Sequence, residues 1–283
     1  AVIAGSKVVI IAKSNMLPVS APPNASGFHV AQVIRDFGLV HDVAISPKCR
    51  FLAISGKGKT RFLDASAHFK CVLEVENNGT TLANSWSPDG SWFATIGKNQ
   101  HLLIYDTSSP KPSHWKLVFT VHNELPGLAL AWGPAMLGGL QYCAYGGEEK
   151  KVYIMEIRTK ERTWETVLAI PREGVIHDLD WNDEGLVAAA IGNGTVTIMD
   201  LSYLQSGWAV NEMDYNWQRQ ALTCFTEIRR NKGKNAMKSV RWIPSAPGSD
   251  SLLAVGGTDG EVEIVDLTDR QRCSGFNKLT PPT

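Results

Sequence analysis

With 283 residues, 43% of them hydrophobic and 20% charged, the chain has the balance of a globular protein able to bury a substantial core. Lys plus Arg and Asp plus Glu each total 28, so the formal net charge is zero and exerts no general pull on nucleic acid or an anionic membrane. No segment approaches the roughly 18 to 20 consecutive apolar residues of a membrane-crossing helix, so no membrane span is expected.

The chain begins without Met, as a fragment or a processed form would, and its apolar start is interrupted by Gly5, Ser6 and Lys7. Without a charged lead-in or a cleavage site, this stretch is a poor signal peptide. Residues 15–27, rich in Pro, Ser and Ala, read as a surface loop, and so do residues 108–113. From there on a pattern repeats. Val43-Ala44-Ile45-Ser46-Pro47, Ser85-Trp86-Ser87-Pro88-Asp89-Gly90 and Leu130-Ala131-Trp132-Gly133-Pro134 each read as a strand ending in a large apolar residue, then a turn. Leu179-Asp180-Trp181-Asn182-Asp183-Glu184-Gly185 and Val240-Arg241-Trp242-Ile243-Pro244 follow the same plan. From Ile45 through Trp86, Trp132, Trp181 and Trp242 the steps are 41, 46, 49 and 61 residues. The first three lie close to the roughly 40 to 45 residues of a four-stranded propeller blade, and the last is stretched by an insertion.

After each turn comes a strand rich in small residues: Phe51 to Gly56, Trp92 to Gly97, Tyr142 to Gly147, Val187 to Gly192 and Leu252 to Gly257. Ala and Gly suit crowded strands near a propeller axis. A third strand with period-2 alternation then ends in an acidic residue, at Asp64, Asp106, Glu156, Asp200 and Asp266. Outer strands follow, such as Lys70 to Val75 and Thr166 to Ile170.

This order of strands and turns resembles the WD-repeat family over about residues 1 to 279. Leu, Tyr, Met, Met and Val stand where the family has the Trp of its Trp-Asp pair, and the Gly-His opening is absent. The resemblance implies an all-β fold, a β-propeller of four-stranded antiparallel blades, and one domain over residues 1–283 with an insertion at about 201–234. Val2 to Gly5, Val8 to Ala12 and His29 to Asp36 then form a first blade lacking its inner strand. Six blades are expected, the first incomplete, with room for seven in the full ring. A partner chain or a missing segment would complete the first blade, or else the tail Ser274 to Leu279 or a poorly patterned segment of the chain would.

The cysteines Cys49, Cys71, Cys143, Cys224 and Cys273 are odd in number, and none forms a C-x-x-C pair. They are expected as buried thiols of a reducing compartment, cytoplasmic or nuclear, and not as disulfides or zinc ligands. No G-x-S-x-G, H-E-x-x-H or P-loop motif occurs, so no catalytic residue, cofactor or metal site is expected. Gly56-Lys57-Gly58-Lys59-Thr60 reads as a hairpin turn. His41-Asp42 and His177-Asp178 sit at the start of inner strands, on one rim, and the inner-strand positions are mostly Val, Ala, Ser and Leu.

The insertion is the one segment the repeat does not explain. Trp208, Tyr215 and Trp217 within it, with Arg229 and Arg230 after it, are the candidate partner-binding residues, because aromatic and Arg side chains anchor interfaces. The function expected by fold analogy is a non-catalytic protein–protein interaction scaffold, a subunit of a larger assembly that binds proteins or peptides. The alternative is a propeller enzyme or a nucleotide-exchange factor acting through a surface loop.

Overall fold

The computed structural model describes residues 2–3, 8–13, 28–34, 37–134, 140–202, 204, 225–229, 235–244 and 252–267. All regular elements longer than one helical turn among them are strands. They are β1 (Val2–Ile3), β2 (Val8–Lys13), β3 (Phe28–Ile34), β4 (Val40–Ile45), β5 (Phe51–Asp64), β6 (Lys70–Trp86), β7 (Trp92–Gly97), β8 (His101–Asp106), β9 (Lys116–His122) and β10 (Gly127–Trp132). Then come β11 (Leu140–Gly147), β12 (Lys151–Arg158), β13 (Thr163–Pro171), β14 (Ile176–Trp181), β15 (Leu186–Ile191), β16 (Thr195–Asp200), β17 (Phe225–Arg229), β18 (Met237–Trp242), β19 (Leu252–Gly257) and β20 (Val262–Asp266).

These strands build four complete four-stranded antiparallel blades. Two are the sheets β10–β13 and β14–β17. The other two share the six-stranded sheet β4–β9. There β5 doubles back at Lys57-Gly58, where Gly58 has φ +81°, so the Arg50 carbonyl accepts the Ala65 N–H at 2.7 Å. The Gly56–Thr60 segment is thus the expected hairpin turn. β6 leaves the outer edge of one blade and becomes the inner strand of the next. The expectation of six blades, or seven in the full ring, is corrected to four. The sheets β1–β3 and β18–β20 have three strands each. Among the described residues the first has no fourth strand, and the tail after Leu267, Ser274 to Leu279 included, lies outside the described residues.

The repeat is visible in the register. Trp86, Trp132, Trp181 and Trp242 close their inner strands opposite Phe93, Cys143, Val187 and Leu253. The first three are buried and Trp242 is half-buried. The indole N–H of Trp86 donates to the Ala44 carbonyl, that of Trp132 to Ser85 and that of Trp242 to Asp180, at 3.4, 3.1 and 3.2 Å. Each acceptor belongs to the preceding blade, so these bonds tie blade to blade. Trp181 breaks the series: its ring lies over Gly133 and its buried N–H has no partner among the described residues. Trp132→Phe is therefore expected to lower stability by about 1 kcal/mol more than Trp181→Phe, because only the former removes a made hydrogen bond. Urea unfolding of the two variants measures the difference, and equal losses would contradict the tie.

The turns use the same few atoms. Ser46, Ser87 and Asn182 each accept, through the side-chain oxygen, the N–H that opens the following strand at Phe51, Trp92 and Leu186. Asp64, Asp106 and Asp200 each accept both the N–H and the hydroxyl of the serine two residues on, Ser66, Ser108 and Ser202. These repeated acids hold turns.

Between blades the side chains of third strands meet the inner strands of the next blade. Leu102 and Ile104 pack with Leu130 and Trp132, and Val196 and Ile198 pack with Met237 and Val240. Of the three cysteines among the described residues, all expected to be buried, Cys143 is buried, whereas Cys49 and Cys71 are exposed free thiols; Cys224 and Cys273 lie outside the described residues. Cys49 ends a turn at φ +53°, the place Gly90 and Gly185 take in other blades, and a turn tip faces water.

Candidate functional site

Each inner strand carries a β-bulge at the same register, between Val40 and Asp42, Thr81 and Ala83, Gly127 and Ala129, Ile176 and Asp178, and Met237 and Ser239. A bulge leaves one residue unpaired and re-aims its neighbours. The bulged residues are His41, Leu82, Leu128, His177 and Lys238. Two of them meet across adjacent blades, with Lys238 Nζ 2.9 Å from His177 Nε2.

Of the residues that follow the bulge, Asp42, Ala83 and Asp178 line a central cavity of about 350 Å³ bounded by β4, β6, β10 and β14, with Arg241 from β18. Asp42, Asp178 and Asp180 all face it. Asp42 accepts the N–H of Val43 at 2.8 Å and that of Asn84, on the next blade, at 2.6 Å. Asp178 does the same three blades later, accepting the Val240 N–H at 3.0 Å, the Ser239 hydroxyl at 2.9 Å and Arg241 Nη1 at 2.8 Å. Asp180 accepts the Trp242 N–H at 2.6 Å. Inner strands are sheet edges, and these carboxylates satisfy edge N–H groups that no strand pairs.

Burial has a cost for the acids. It pushes Asp42 up to about 6, against the lowering influence of its two main-chain donors and of Arg241, while Asp178 raises it further. Burial likewise raises Asp180. Burial and the Lys238 ammonium lower His177, so its imidazole is neutral at physiological pH. Asn84, 6% exposed, lines the same cavity, and neither its amide nitrogen nor its amide oxygen has a partner among the described residues. The other inner strands carry Val43, Leu130, Leu179 and Val240 at that position, all apolar, the last three buried and Val43 half-buried. Among the described residues no group of three His, Cys, Asp or Glu could hold a metal.

The structure thus brings together Asp42, Asn84, Asp178, Asp180 and Arg241, a cluster that inner strands reading as Val, Ala, Ser and Leu did not suggest. The sequence signal for it is the repeated His-Asp of His41-Asp42 and His177-Asp178, which shares one register position. The expected partner-binding residues lie elsewhere. Trp208, Tyr215, Trp217 and Arg230 are outside the described residues. Arg229 closes β17 with its main chain opposite Thr195, and its side chain is outside them too.

No protein-family model and no curated protein sequence matches the chain. Solved structures do. One described as the WD40 repeats of RRP9 matches with a TM-score of 0.60 at 12% identity, over 81% of this chain and 61% of that one. One described as U3-55K matches with a TM-score of 0.60 at 12% identity, over 81% of this chain and 62% of that one. The fold is that of a WD40-repeat β-propeller, and the chain spans about three-fifths of the length of these neighbours. Among the described residues no helix is long and apolar enough to cross a membrane.

Proposed function

We propose that the chain is a non-catalytic protein–protein interaction scaffold, a single propeller domain over residues 1–283 that serves as a subunit of a larger assembly. One observation supports this most. Val262 and Ile264 of β20 are 74% and 54% exposed, whereas the residues at the same register in the complete blades, Val196 and Ile198, Val152 and Ile154, Leu102 and Ile104, are fully covered by the next blade. An uncovered sheet face with the residue types of a blade junction is a surface for another sheet or segment. The repeated acids, spent on turns, support a scaffold over an enzyme. The exposed thiols of Cys49 and Cys71 support a cytoplasmic or nuclear setting, where thiols stay reduced.

The insertion at 201–234 adds a second contact region in this reading, with Trp208, Tyr215 and Trp217 as anchors and Arg229 and Arg230 beside them. The test is co-purification of native partners with the intact chain, with Val262→Lys plus Ile264→Lys, and with Trp217→Ala. Each variant is expected to lose partner, a true anchor weakening binding by about 2 kcal/mol or more, with the thermal transition held. Full partner retention by the double variant would refute the exposed face. Retention by Trp217→Ala with a several-degree fall in the thermal transition would assign the insertion to internal packing.

A further inference from the structure

The aromatic joint between the first two complete blades is not sealed all round. Phe62 and Phe93 are 1% and 0% exposed, whereas Phe51, Trp86 and Trp115 of the same cluster keep 9%, 7% and 9%. These three rings floor a second cavity, of about 300 Å³, between the turn after β4, the turn after β6 and the segment Thr107 to Trp115. That segment spans nine residues, whereas the same connection in the blades on either side spans five at Ala65 to Phe69 and four at Thr159 to Arg162. The extra length is folded and tied down. The Thr107 hydroxyl donates to the Gly90 carbonyl at 2.9 Å, and the Trp115 indole N–H, beyond a single 3₁₀ turn, donates to the Ser109 carbonyl at 2.8 Å. The walls thus hold without a ligand, as a preformed pocket requires.

A second, independent observation is the charge at the rim. Lys48 is exposed and its ammonium makes no ion pair or hydrogen bond among the described residues. The Arg50 guanidinium lies over Phe51, 4.7 Å from the ring centre, and of its five N–H donors it gives one to Asp64, at 3.3 Å. Asp89 is the one acid among the lining residues, and it is saturated. Its oxygens accept the Ser87 hydroxyl, the Ser91 N–H, the Ser91 hydroxyl and the Gln141 amide, at 2.6, 3.0, 2.6 and 2.9 Å. Four hydrogen bonds fill the acceptor sites of a carboxylate. An aromatic floor beside two cations short of anions complements an apolar side chain with carboxylates next to it.

We infer that this pocket binds an acidic peptide segment of a partner, with a large apolar side chain seated on Phe51, Trp86 and Trp115 and flanking carboxylates on Lys48 and Arg50. The inference rests on the scaffold reading and gives it a partner chemistry, at a surface separate from the Val262 and Ile264 face. A cavity of about 300 Å³ is at the low end of ligand sites and takes one such side chain. An aromatic ring suits the floor best, because the rings there offer it both edges and faces.

The test titrates the full chain with the capped peptide acetyl-Ala-Asp-Phe-Asp-Ala-amide, with its Asn-Phe-Asn counterpart and with its Asp-Ala-Asp counterpart. Calorimetry and the NMR signals of the indole N–H groups are the readouts. Saturable one-site binding of the first peptide is expected, moving the Trp86 and Trp115 signals and not that of Trp242. The Asp-Ala-Asp peptide is expected to bind about tenfold or more weaker, through loss of a buried large side chain. The Asn-Phe-Asn peptide is expected to bind about fivefold or more weaker, through loss of charge-assisted contacts at a partly exposed rim. Binding of the first peptide should also weaken as salt rises from about 0.05 M to about 0.5 M. Lys48→Glu replaces an exposed side chain, so its thermal transition is expected to hold while affinity for the first peptide falls about fivefold or more. Equal binding of either counterpart, undiminished binding by Lys48→Glu, a response at Trp242 in place of Trp86 and Trp115, or no saturable binding overturns the inference. Since native co-purification through the Val262 and Ile264 face is measured separately, such a failure leaves the scaffold reading standing or falling on its own result.

Discussion

Phe62→Ala is expected to destabilise the protein by about 3–5 kcal/mol, the range for deleting a buried aromatic ring. Phe62 is 1% exposed and its ring is edge-on to three others: Phe93 at 4.9 Å, Trp115 at 5.2 Å and Trp86 at 5.8 Å between centroids. Phe51 completes the group, 5.0 Å from Trp115. Phe51 and Phe62 come from β5, and Trp86 and Phe93 come from the next blade, so the cluster is the joint between two blades. Flat rings on paired strands cannot slump into the space a missing ring leaves, so the cavity term is felt nearly in full. The matching control is Ile264→Ala. Ile264 stands two residues before the terminal acid of its strand, as Phe62 does, but it is 54% exposed, with no covering blade among the described residues. Its loss is expected to cost under about 1 kcal/mol in the isolated chain. Urea unfolding of both variants checks the contrast, and comparable losses would mean that the blade junction is not what holds Phe62.

The parts of this fold legible in the sequence are those where packing repeats with a residue type attached. The terminal Trp recurs in four of the five inner strands because it caps its blade, and in three of them, Trp86, Trp132 and Trp242, it ties to the preceding one. The strands of Ala and Gly recur because the ring is crowded near its axis; a Cβ on Gly97 would stand 2.0 Å from the Thr80 carbonyl. Three of the five terminal acids, Asp64, Asp106 and Asp200, serve as acceptors for the N–H and hydroxyl of the serine two residues on. Outer strands are far less legible. In β13 most residues are exposed, and a strand in water carries little hydrophobic alternation to read. That is why counting inner strands overstated the number of four-stranded blades.

The cavity was hidden for a different reason. What turns Asp42 and Asp178 toward it is the bulge, a feature of main-chain pairing, and the bulged residues His41, Leu82, Leu128, His177 and Lys238 share no chemistry. Averaged over the repeats, the position after the bulge is as often Ala as Asp: Ala83 and Ala129 hold it in two blades and Ser239 in a third. Departures from the repeat were the useful signal. Asn84 among Leu130, Leu179 and Val240 is one, and it marks a place where the local packing rule is broken without a compensating contact in the chain.

The same site gives the protein an expected pH dependence with an unusual sign. Asp42 rises from 3.8 to about 6 on folding, so the folded state holds its proton more tightly than the unfolded chain does. Ionised Asp42 therefore weakens the fold above about pH 6, and the penalty is relieved as pH falls from about 6 towards 4, by about 3 kcal/mol for a shift of two pKa units. Asp180 is raised by burial as well and acts in the same direction. Other acids oppose them. Asp64, Asp89, Glu74 and Glu149 are held below their ordinary range, so their contribution is present above the unfolded pKa and is lost as pH falls through the folded one. The two sets act in different windows, Asp42 between about pH 6 and 4 and the lowered set below about pH 4. Stability is thus expected to climb from about pH 7.5 to about pH 5 before acid unfolding begins. Urea midpoints across this range measure it, with Asp42→Asn as the comparison. The variant loses one acceptor for the Val43 or Asn84 N–H, which shifts its whole curve, so the diagnostic quantity is slope: the climb should shrink in the variant. Parallel curves for the two proteins would show that the buried carboxylate on the cavity wall is not what titrates.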